Sequence, residues 1–504
     1  MDPHAHTQLR PRATEVPCDP LGIGGTTPHL VGIGGCGMSA LARLLAASGV
    51  PVRGTDMTPT PVTDALAASG IAVGFDQSAG ALREDADVLI ASAAVGQDHP
   101  EVAAAHDRGI PVLSYAEALG RLQAGRTGVS IAGTHGKSTT TAMLGCALTD
   151  AGLDPAVIVG ATCAQLESGA LTPAGGRTGF RLGSTTIRAG AWAGKPGALL
   201  AEACEYNRSF HNHRPTVASI GVIEPDHLDI YGSLDEIVEA FRGFAQLVPD
   251  EAEGGRLLIA HEGAQRTHVA AGLACRVETI GFSPAADYSI GFDPASRRVT
   301  VSHDGRELGS WVNRMPGEHN ATNAATAFAL GVILGADAGK LSASLGAFAG
   351  LDRRFQMLGD VRGVRVYDDY GHHPTEIART LEAVRQSDDP AERGGKLITV
   401  FQPHQHSRTR FLLEEFATSF EQADVVIVPD IYFVRDSQAE RHKVSAADLV
   451  DRLRTRGVRA MHLYPFDAIV EHLQTIASPG DVVLVMGAGP VWKVGHEFVR
   501  VGGS

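Results

Sequence analysis

One short stretch limits the possible folds of this chain more than any other: Gly133-Thr134-His135-Gly136-Lys137-Ser138. It follows the apolar segment "TGVSIA" and precedes "TTTAMLGCALTDAG", so a strand leads through a tight turn into a helix. In such a turn the glycines let backbone N–H groups face phosphate oxygens, and the helix N-terminus adds a favourable dipole. The pattern predicts an α/β domain in which Lys137 reaches the β- and γ-phosphates of a nucleoside triphosphate and the Ser138 hydroxyl binds Mg²⁺.

A second glycine-rich stretch, "VGIGGCGMSALARLL", lies nearer the N-terminus. Gly32, Gly34 and Gly37 have the G-x-G-x-x-G spacing, and Asp56 follows at the distance expected for an acid that binds a ribose. Read alone, this stretch predicts a dinucleotide such as NAD. The chain therefore carries two candidate phosphate-binding loops.

Short apolar strands alternate with helical segments in three successive parts of the chain, as they do in βαβ units. A length of 504 residues also exceeds the size of one ordinary hydrophobic core. Residues 168–195 are rich in Gly, Thr and Arg, and we expect irregular loops or hairpins there. The expected organisation is a flexible tail followed by three domains, with the ranges 1–28, 29–126, 127–349 and 350–504.

Composition and charge disfavour several classes of partner. The formal net charge is −14 and basic runs are absent, which argues against nucleic acid and membrane surfaces as partners. The six cysteines form no C-x-x-C pair, so a disulfide framework or a zinc site is not expected. No uninterrupted apolar stretch is long enough to span a bilayer, and the first residues lack the apolar core of a signal peptide. These features predict a cytoplasmic location.

Acidic side chains and a histidine follow two predicted strands downstream of the second glycine loop. "LLAEACEYN" contains Glu202 and Glu205, and "GVIEPDHLDIYG" contains Asp226 and His227 together with Glu224 and Asp229. The carboxyl ends of parallel strands meet at one edge of a sheet, which is where such folds bind ligands. Carboxylates and imidazoles are natural partners for the metal ion of a nucleoside triphosphate, so these segments are candidate metal-binding segments.

Six motifs occur in the order known from one enzyme family: "GTHGKSTTTAM", "EPDHLDIYG", "GEHNATNAATA", "DRRF", "DDYGHHPTE" and "FQPHQHSRTR". With them the chain resembles the Mur ligases from about His29 to about Lys493. The resemblance implies an α/β, three-domain Mur ligase architecture: a Rossmann-like N-terminal domain, a central P-loop ATPase-like domain and a Rossmann-like C-terminal domain. It also implies that the first glycine loop holds the uridine diphosphate of a UDP-sugar, because the same loop geometry binds a pyrophosphate whichever nucleoside carries it.

The same resemblance implies a reaction in two steps. The carboxylate of UDP-N-acetylmuramate attacks the γ-phosphate of ATP to give an acyl phosphate, and the amine of L-alanine then displaces phosphate, in the first peptide-forming step of peptidoglycan precursor synthesis. ATP and Mg²⁺ are the implied cofactors, and the implied assembly is a monomer or a homodimer. Three alternatives stay open at this point: a recycling ligase that joins a tripeptide to the same sugar nucleotide, a non-catalytic nucleotide-binding regulator, and an NAD oxidoreductase.

Matching the motifs position by position assigns expected roles to individual residues. The catalytic set is Lys137, His227, His372, His404 and Arg408. The ATP-binding set is Gly133, Thr134, His135, Gly136, Lys137, Ser138, Thr139, Asn320, Asn323, Arg354, Asp369 and Tyr370. The metal-binding set is Ser138, Glu202 and His227. The set expected to contact the sugar nucleotide is Gly34, Gly35, Gly37, Asp56 and Ser92.

Some positions depart from the family pattern. Tyr115 lies near the place where many members have an arginine, and tyrosine supplies a hydroxyl but no positive charge. Cys204 replaces an acid in "EACEYN". His373, unlike His372, is expected to be a buried, hydrogen-bonded structural histidine. The departures affect the expected substrate contacts and leave the expected ligase activity unchanged.

Overall fold

The structure is a computed structural model that describes residues 27–166, 178–434 and 436–502. Nearly all of the predicted N-terminal tail lies outside the described residues, as do residues 168–177 of the segment predicted to be irregular. The chain divides into two compact units, Met1–Leu122 and Gln123–Ser504.

The first unit contains a five-stranded sheet in which all strands are parallel, in the order β3-β2-β1-β4-β5. This is the strand order of a doubly wound fold, with the change of direction between β1 and β4. The predicted alternation of short apolar strands with helices is confirmed for this part of the chain. In chain order the elements are β1 (Pro28–Val31), α1 (Cys36–Ala47), β2 (Arg53–Thr55), α2 (Pro61–Ala68), β3 (Ala72–Gly74), β4 (Val88–Ala91), α3 (Pro100–Asp107), β5 (Val112–Ser114) and α4 (Tyr115–Ala124).

The second unit begins with a ten-stranded sheet in the order β15-β14-β13-β12-β11-β10-β6-β9-β7-β8. The strand that leads into the phosphate loop, β6, lies between β10 and β9 and is parallel to both. The elements are β6 (Thr127–Ala132), α5 (Lys137–Asp150), β7 (Ala156–Cys163), β8 (Thr178–Arg181), β9 (Ala198–Glu202), β10 (Val217–Ile220), α6 (Leu228–Tyr231), α7 (Leu234–Ala245), β11 (Arg256–Ala260), α8 (Arg266–Ala270), β12 (Arg276–Gly281), β13 (Tyr288–Asp293), β14 (Arg298–His303), β15 (Arg306–Val312), α9 (Glu318–Ile333) and α10 (Ala338–Ala347).

A six-stranded sheet completes the second unit, in the order β16-β17-β21-β18-β19-β20. Its edge strand β16 is antiparallel and the other strands are parallel. The elements are β16 (Gln356–Val361), β17 (Val364–Asp369), α11 (Pro374–Ser387), β18 (Leu397–Phe401), α12 (His406–Phe411), α13 (Leu413–Thr418), β19 (Val425–Val428), α14 (Ala446–Thr455), β20 (Ala460–His462), α15 (Phe466–Ile476), β21 (Val482–Met486) and α16 (Trp492–Gly502).

Helix α5, which follows the phosphate loop, is buried on nearly all of its surface from Ser138 to Leu148. It packs against β7 on one side and against α9 and α10 on the other. A helix that is apolar all round is held in place by its neighbours, and fully burying one leucine such as Leu144 contributes about 2 kcal/mol. The phosphate loop is therefore joined to a rigid core. Among the described residues no helix combines the length and apolar character needed to cross a bilayer.

Each of the three predicted α/β parts of the chain contains one β-sheet. We propose domain boundaries near residues 126 and 350, because β6 opens the second sheet at Thr127 and β16 opens the third at Gln356. The two hairpins formed by β13, β14 and β15 are antiparallel and extend the second sheet at its edge. The sequence analysis did not predict these hairpins.

Candidate active site

The phosphate loop joins the buried strand β6 to the N-terminus of α5. Gly136 is the N-cap of the helix and has a left-handed backbone with φ 79°. A Cβ at this position would lie 2.2 Å from Oδ1 of Asn323, so both the backbone and the available space require glycine. Gly133 also has a positive φ, of 134°, and it lies against the backbone of Gly221 at the end of β10.

Lys137 turns back over this loop. Its Nζ donates to the carbonyl oxygens of Gly133 (2.6 Å) and Thr134 (3.0 Å) and forms an ion pair with Oε2 of Glu205 at 2.8 Å. Burial opposes the charge on this amine, but the surrounding negative groups, of which the Glu205 carboxylate is the strongest, together outweigh burial and raise the pKa of Lys137. Lys137 is therefore a fixed cation at the mouth of the loop.

Ser138 and Glu202 meet beside Lys137. The Ser138 hydroxyl donates to Oε2 of Glu202 at 3.0 Å, and the backbone N–H of Gly160 donates to the other carboxylate oxygen. Glu202 is the last residue of β9, the strand next to β6, which explains why its carboxylate reaches the first turn of α5. Two of the three residues in the predicted metal-binding set are thus in direct contact.

The third member of that set, His227, belongs to a different group. Its Nε2 lies 3.6 Å from Oδ2 of Asp226 and 3.9 Å from Oε1 of Glu205. Donor atoms of Glu205, Asp226 and His227 all lie within 4.8 Å of one another, an arrangement that can hold a metal ion. Burial lowers the pKa of His227, which favours the neutral imidazole that binds metals.

Oxygen ligands with few nitrogens suit Mg²⁺. The structure provides two such groups: Ser138 with Glu202, and Glu205 and Asp226 with His227. Both groups lie next to Lys137. Ser138 of the first group follows Lys137 in the chain, and Glu205 of the second group forms an ion pair with the Lys137 amine. The donor set fits a divalent cation bound to a nucleotide, and the assignment of individual ligands stays a prediction.

Arg408 in α12 connects the six-stranded sheet to this centre. Its Nε donates to Oδ1 of Asp226 (3.0 Å), while Nη1 lies 3.2 Å from Nδ1 of His404 and Nη2 lies 3.4 Å from Nδ1 of His227. The rings of His404 and His372 are in edge contact, with centroids 5.9 Å apart. The five predicted catalytic residues are therefore close together, although their catalytic roles stay predictions.

The two adjacent histidines of "DDYGHHPTE" differ in environment. Nδ1 of His372 donates to the carbonyl oxygen of Tyr370 (3.2 Å), and burial lowers the pKa of His372 to about 4. His373 caps α11, since its Nδ1 accepts from the backbone N–H of Thr375, and its Nε2 contacts the carbonyl oxygen of Pro225. His373 is therefore buried and hydrogen-bonded, as expected. Its donor atoms lie within 4.8 Å of those of His135 and Glu224, and its purely structural role stays a prediction.

A cavity of about 350 Å³ opens beside the phosphate loop, which is enough for a nucleoside. Its walls are mainly apolar and include Ile131, Leu258, Ile280 and Phe282. Of the predicted ATP-binding set, the residues that line it are His135, Gly136, Thr139, Asn320, Asn323, Arg354 and Asp369. The other members lie outside this lining: Gly133, Thr134, Lys137 and Ser138 belong to the loop and helix start, and Tyr370 follows β17.

Asn320 and Asn323 lie one turn apart at the start of α9. Asn320 Nδ2 donates to the carbonyl oxygen of Pro316 at 2.7 Å, which holds the segment before the helix. Asn323 packs over the phosphate loop, where its Oδ1 accepts from the Thr140 hydroxyl at 3.3 Å. Asn320 therefore lines the cavity and also holds the backbone before α9 through its hydrogen bond to Pro316.

The two arginines of "DRRF" have different surroundings. Arg353 pairs with Asp368 (3.1 Å) and donates to the carbonyl oxygen of Gly487, whereas Arg354 lines the cavity. The guanidinium of Arg354 lies 4.9 Å from the centre of the Tyr370 ring. Burial raises the pKa of Asp369 to about 6, although the charge of Arg354 and two backbone N–H donors oppose this shift.

His135 lies between two carboxylates. Nε2 is 3.2 Å from Oε2 of Glu224, and Nδ1 is 3.1 Å from Oε1 of Glu376 in the first turn of α11. Burial opposes the charged ring, but the hydrogen bonds to both carboxylates outweigh burial and raise the pKa of His135 to about 9. The charged imidazole joins the phosphate loop to the start of α11.

In the first unit, the predicted substrate residues meet at the carboxyl ends of β1, β2 and β4. The backbone N–H of Gly34 donates to Oδ2 of Asp56 at 2.7 Å, and a Cβ at Gly37 would lie 2.9 Å from Cζ of Tyr115. A Cβ at Gly32 would likewise lie 2.9 Å from Cβ of Ser92. Gly35 follows in the same loop and is the N-cap of helix α1. These residues surround the point where the strand order changes direction, the usual ligand position in such sheets.

The structure brings three further side chains into the centre that are not in the residue sets predicted from the sequence: Glu205, Asp226 and Glu376. Glu205 and Asp226 are in the acidic segments identified from the sequence, and Asp226 directly precedes His227. Glu376 is three residues beyond His373, the position that completes a capping box. The capping pattern is the signal from which Glu376 is recognisable.

Models of three Mur ligase domains match successive parts of the chain. The Mur ligase family catalytic domain matches residues 27–127, the Mur ligase middle domain matches 131–331, and the Mur ligase glutamate ligase domain matches 353–489. The chain belongs to the Mur ligase family. This confirms the three-domain α/β architecture that the motifs predicted.

Individual proteins of known name are similar to this chain over nearly its whole length. The UDP-N-acetylmuramate–L-alanine ligase of Desulfitobacterium hafniense is 38% identical over 475 residues, which is 94% of this chain and 99% of the relative. The structure of UDP-N-acetylmuramate–alanine ligase MurC from Thermotoga maritima matches with a TM-score of 0.74 and 26% identity, covering 94% of this chain and 98% of the other. A murein peptide ligase from Psychrobacter arcticus shares the fold, with a TM-score of 0.71 and 24% identity over 95% and 99% of the two chains.

Proposed function

We propose that this chain catalyses the ATP-dependent ligation of L-alanine to UDP-N-acetylmuramate, with an acyl phosphate as intermediate. The observation that carries the proposal is the convergence of Lys137, His227 and Arg408. A phosphate-loop lysine, an imidazole grouped with carboxylates, and an arginine from the six-stranded sheet meet around Glu205 and Asp226. The choice of alanine rests on the relatives, whose names state this amino acid.

The first step needs groups that offset negative charge. The muramate carboxylate attacks the γ-phosphorus of ATP, the bond to the β-phosphate oxygen breaks, and ADP leaves. Lys137 and the backbone N–H groups at the start of α5 are placed to stabilise the transferred phosphoryl group. A phosphate entering the loop would replace Glu205 as the partner of the Lys137 amine.

The second step needs an oriented amine. The nitrogen of L-alanine attacks the acyl carbon, and phosphate leaves as the amide forms with loss of a proton from nitrogen. Neutral His372 donates through Nδ1 to the Tyr370 carbonyl, which leaves Nε2 able to accept a hydrogen bond from the amine. Arg408 and His404 lie beside it, where a guanidinium suits the alanine carboxylate or the acyl phosphate.

Mg²⁺ is part of the proposal. Ser138 with Glu202, and Glu205 and Asp226 with His227, are the residues proposed to hold it. When bound, the metal neutralises charge on the nucleotide phosphates. The proposal also includes a cytoplasmic location, because the reaction uses ATP and a nucleotide sugar, and a monomer or homodimer as the working assembly.

The first glycine loop is proposed to bind the diphosphate of the sugar nucleotide. Gly34, Gly35 and Gly37 bring backbone groups to the N-terminus of α1, and Asp56 and Ser92 flank them on the ribose and uracil side. A thermal-shift comparison tests this part. The sugar nucleotide should raise the melting temperature and NADH should not; stabilisation by NADH alone would favour the oxidoreductase alternative.

A matrix of substrates tests the reaction by phosphate release. Release from ATP should require UDP-N-acetylmuramate, Mg²⁺ and an amino acid together, with L-alanine preferred over serine and glycine. Release driven by a free tripeptide but not by alanine would identify a recycling ligase. Nucleotide binding with no release under any combination would identify a non-catalytic regulator.

A further inference from the structure

A second cavity, within the second unit, shares Met315, Arg354 and Phe355 in its lining with the cavity beside the phosphate loop. It has a volume of about 470 Å³ and is lined mainly by polar atoms. It lies between the edge hairpins of the ten-stranded sheet and strands β16 and β17. None of the catalytic set lines it.

The charged groups in its lining are four arginines and one aspartate: Arg297, Arg314, Arg354, Arg365 and Asp388. The aspartate is already satisfied, since it pairs with Arg365 and with Arg393 (2.7 Å) and accepts from the Tyr367 hydroxyl (2.8 Å). Its charge is therefore not available to the other arginines of the cavity.

The remaining three arginines form no ion pair with any carboxylate of residues 27–166, 178–434 and 436–502. Arg297 donates through Nη1 to the backbone carbonyl of Arg314 at 3.1 Å, which places the two residues side by side. Arg354 lies against the Tyr370 ring. Three positive charges thus share one concave space in which no carboxylate of the described residues lies within ion-pair distance of them, and only Arg354 interacts at longer range with carboxylates, those of Asp369 and Glu376.

This concentration of positive charge contrasts with the chain as a whole, which has 57 acidic and 43 basic residues and a net charge of −14. Like charges in a cavity repel one another, and walls of low dielectric constant focus their field. An anion with several oxygens would remove this repulsion and accept the planar fork of each guanidinium.

We infer that this cavity is a binding site for a small phosphate-bearing anion, such as a phosphate ester or a diphosphate, held by Arg297, Arg314 and Arg354. The volume suits a metabolite of about nucleoside size. Binding at this site does not depend on the proposed function. Arg354 lines both cavities, so a bound anion would compete with the nucleotide for this arginine, and this consequence does rest on the proposed function.

Isothermal titration with inorganic pyrophosphate tests the site in the full-length Lys137→Ala variant, in which the phosphate loop is weakened. Pyrophosphate should bind this variant, and added Arg297→Gln and Arg314→Gln substitutions should weaken binding by roughly tenfold for each arginine removed. Arg298→Gln is the matched control, because Arg298 is exposed at the start of β14 and does not line the cavity; it should leave the affinity unchanged.

Three outcomes would overturn the inference. These are no pyrophosphate binding in the Lys137→Ala variant, equal binding after loss of Arg297 and Arg314, and tighter binding of citrate than of pyrophosphate. In the otherwise unaltered chain, pyrophosphate should raise the KM for ATP more than it does in the Arg297→Gln, Arg314→Gln variant. A chain without ligase activity would remove only this last readout, so the failure of the proposed function and the failure of the anion site are distinguishable.

Discussion

Arg408 and Asp226 are separated by 182 residues and are joined by a 3.0 Å hydrogen bond between Nε and Oδ1. Both side chains are almost completely buried. Burial alone would raise the pKa of Asp226, but the neighbouring basic groups, of which the Arg408 guanidinium is the strongest, together hold the pKa well below its usual range. This pair fixes the six-stranded sheet against the phosphate-loop centre.

Arg408→Lys should lower turnover by about a hundredfold, because an ammonium keeps the charge but cannot contact Asp226, His404 and His227 together. Steady-state ligation rates measure this effect. Arg410→Lys is the control, since Arg410 lies in the same helix and pairs with Glu440 away from the centre. Equal losses of turnover in the two variants would show that a general disturbance of helix α12, and not the loss of the Arg408 contacts, lowers the rate.

Lys137→Ala should lower turnover by several orders of magnitude while the protein stays folded. Removing one charged group that stabilises a transition state typically costs about 3 kcal/mol or more of activation free energy. The measurements are phosphate release and circular dichroism, with the exposed Lys340→Ala as a control. Unchanged turnover in Lys137→Ala would remove this amine from the mechanism.

Gly136→Ala should abolish nucleotide binding. The substitution combines a left-handed backbone with a Cβ only 2.2 Å from Asn323 Oδ1, and the strain of φ 79° alone costs about 1 kcal/mol. Gly152→Ala, at the other end of α5, is the matched control, because its φ of 88° is similar and its nearest neighbour is 3.9 Å away. Calorimetric titration with ATP separates the clash from the strain, and equal affinities for the two variants would contradict the account.

The stability of the second unit should fall as pH rises through about 9. The folded pKa of His135, about 9, lies above its ordinary value of 6.5, so the charged ring contributes stability that is complete below about pH 6.5 and is lost at higher pH. The contribution is at most about 3 kcal/mol. Urea unfolding midpoints at pH 6.5 and 9.5 measure it. His135→Gln should flatten the difference, and an unchanged pH dependence in this variant would contradict the role assigned to the ring.

The periodic parts of the sequence predicted most of the fold. The alternation of apolar strands and helices predicted many of the parallel strands correctly, because buried parallel strands such as β6 and β21 leave continuous apolar runs. The hairpins between Tyr288 and Val312 were missed because their alternating, half-exposed pattern is weaker than that of buried parallel strands, although Asp304-Gly305 between β14 and β15 is a typical hairpin turn from which one of them is recognisable.

Contacts between side chains that are far apart in the sequence could not be predicted from the motifs. The motifs assigned Ser138, Glu202 and His227 to two Mg²⁺ ions, which stays a prediction, but they did not show that Glu205 and Asp226 lie beside His227. Spacing along the chain does not show which carboxylate turns toward a ring. Similarly, "DRRF" does not show that Arg353 pairs with Asp368 while Arg354 faces two cavities.

Transfer of oxygen from the sugar nucleotide to phosphate tests the central claim most directly. UDP-N-acetylmuramate labelled with ¹⁸O in its carboxylate is incubated with ATP, Mg²⁺, L-alanine and the enzyme, and the released phosphate is analysed by mass spectrometry. Activation of the carboxylate as an acyl phosphate predicts one ¹⁸O atom in each phosphate released. Amide formation with unlabelled phosphate, or no ADP when all reactants are present, would contradict the account.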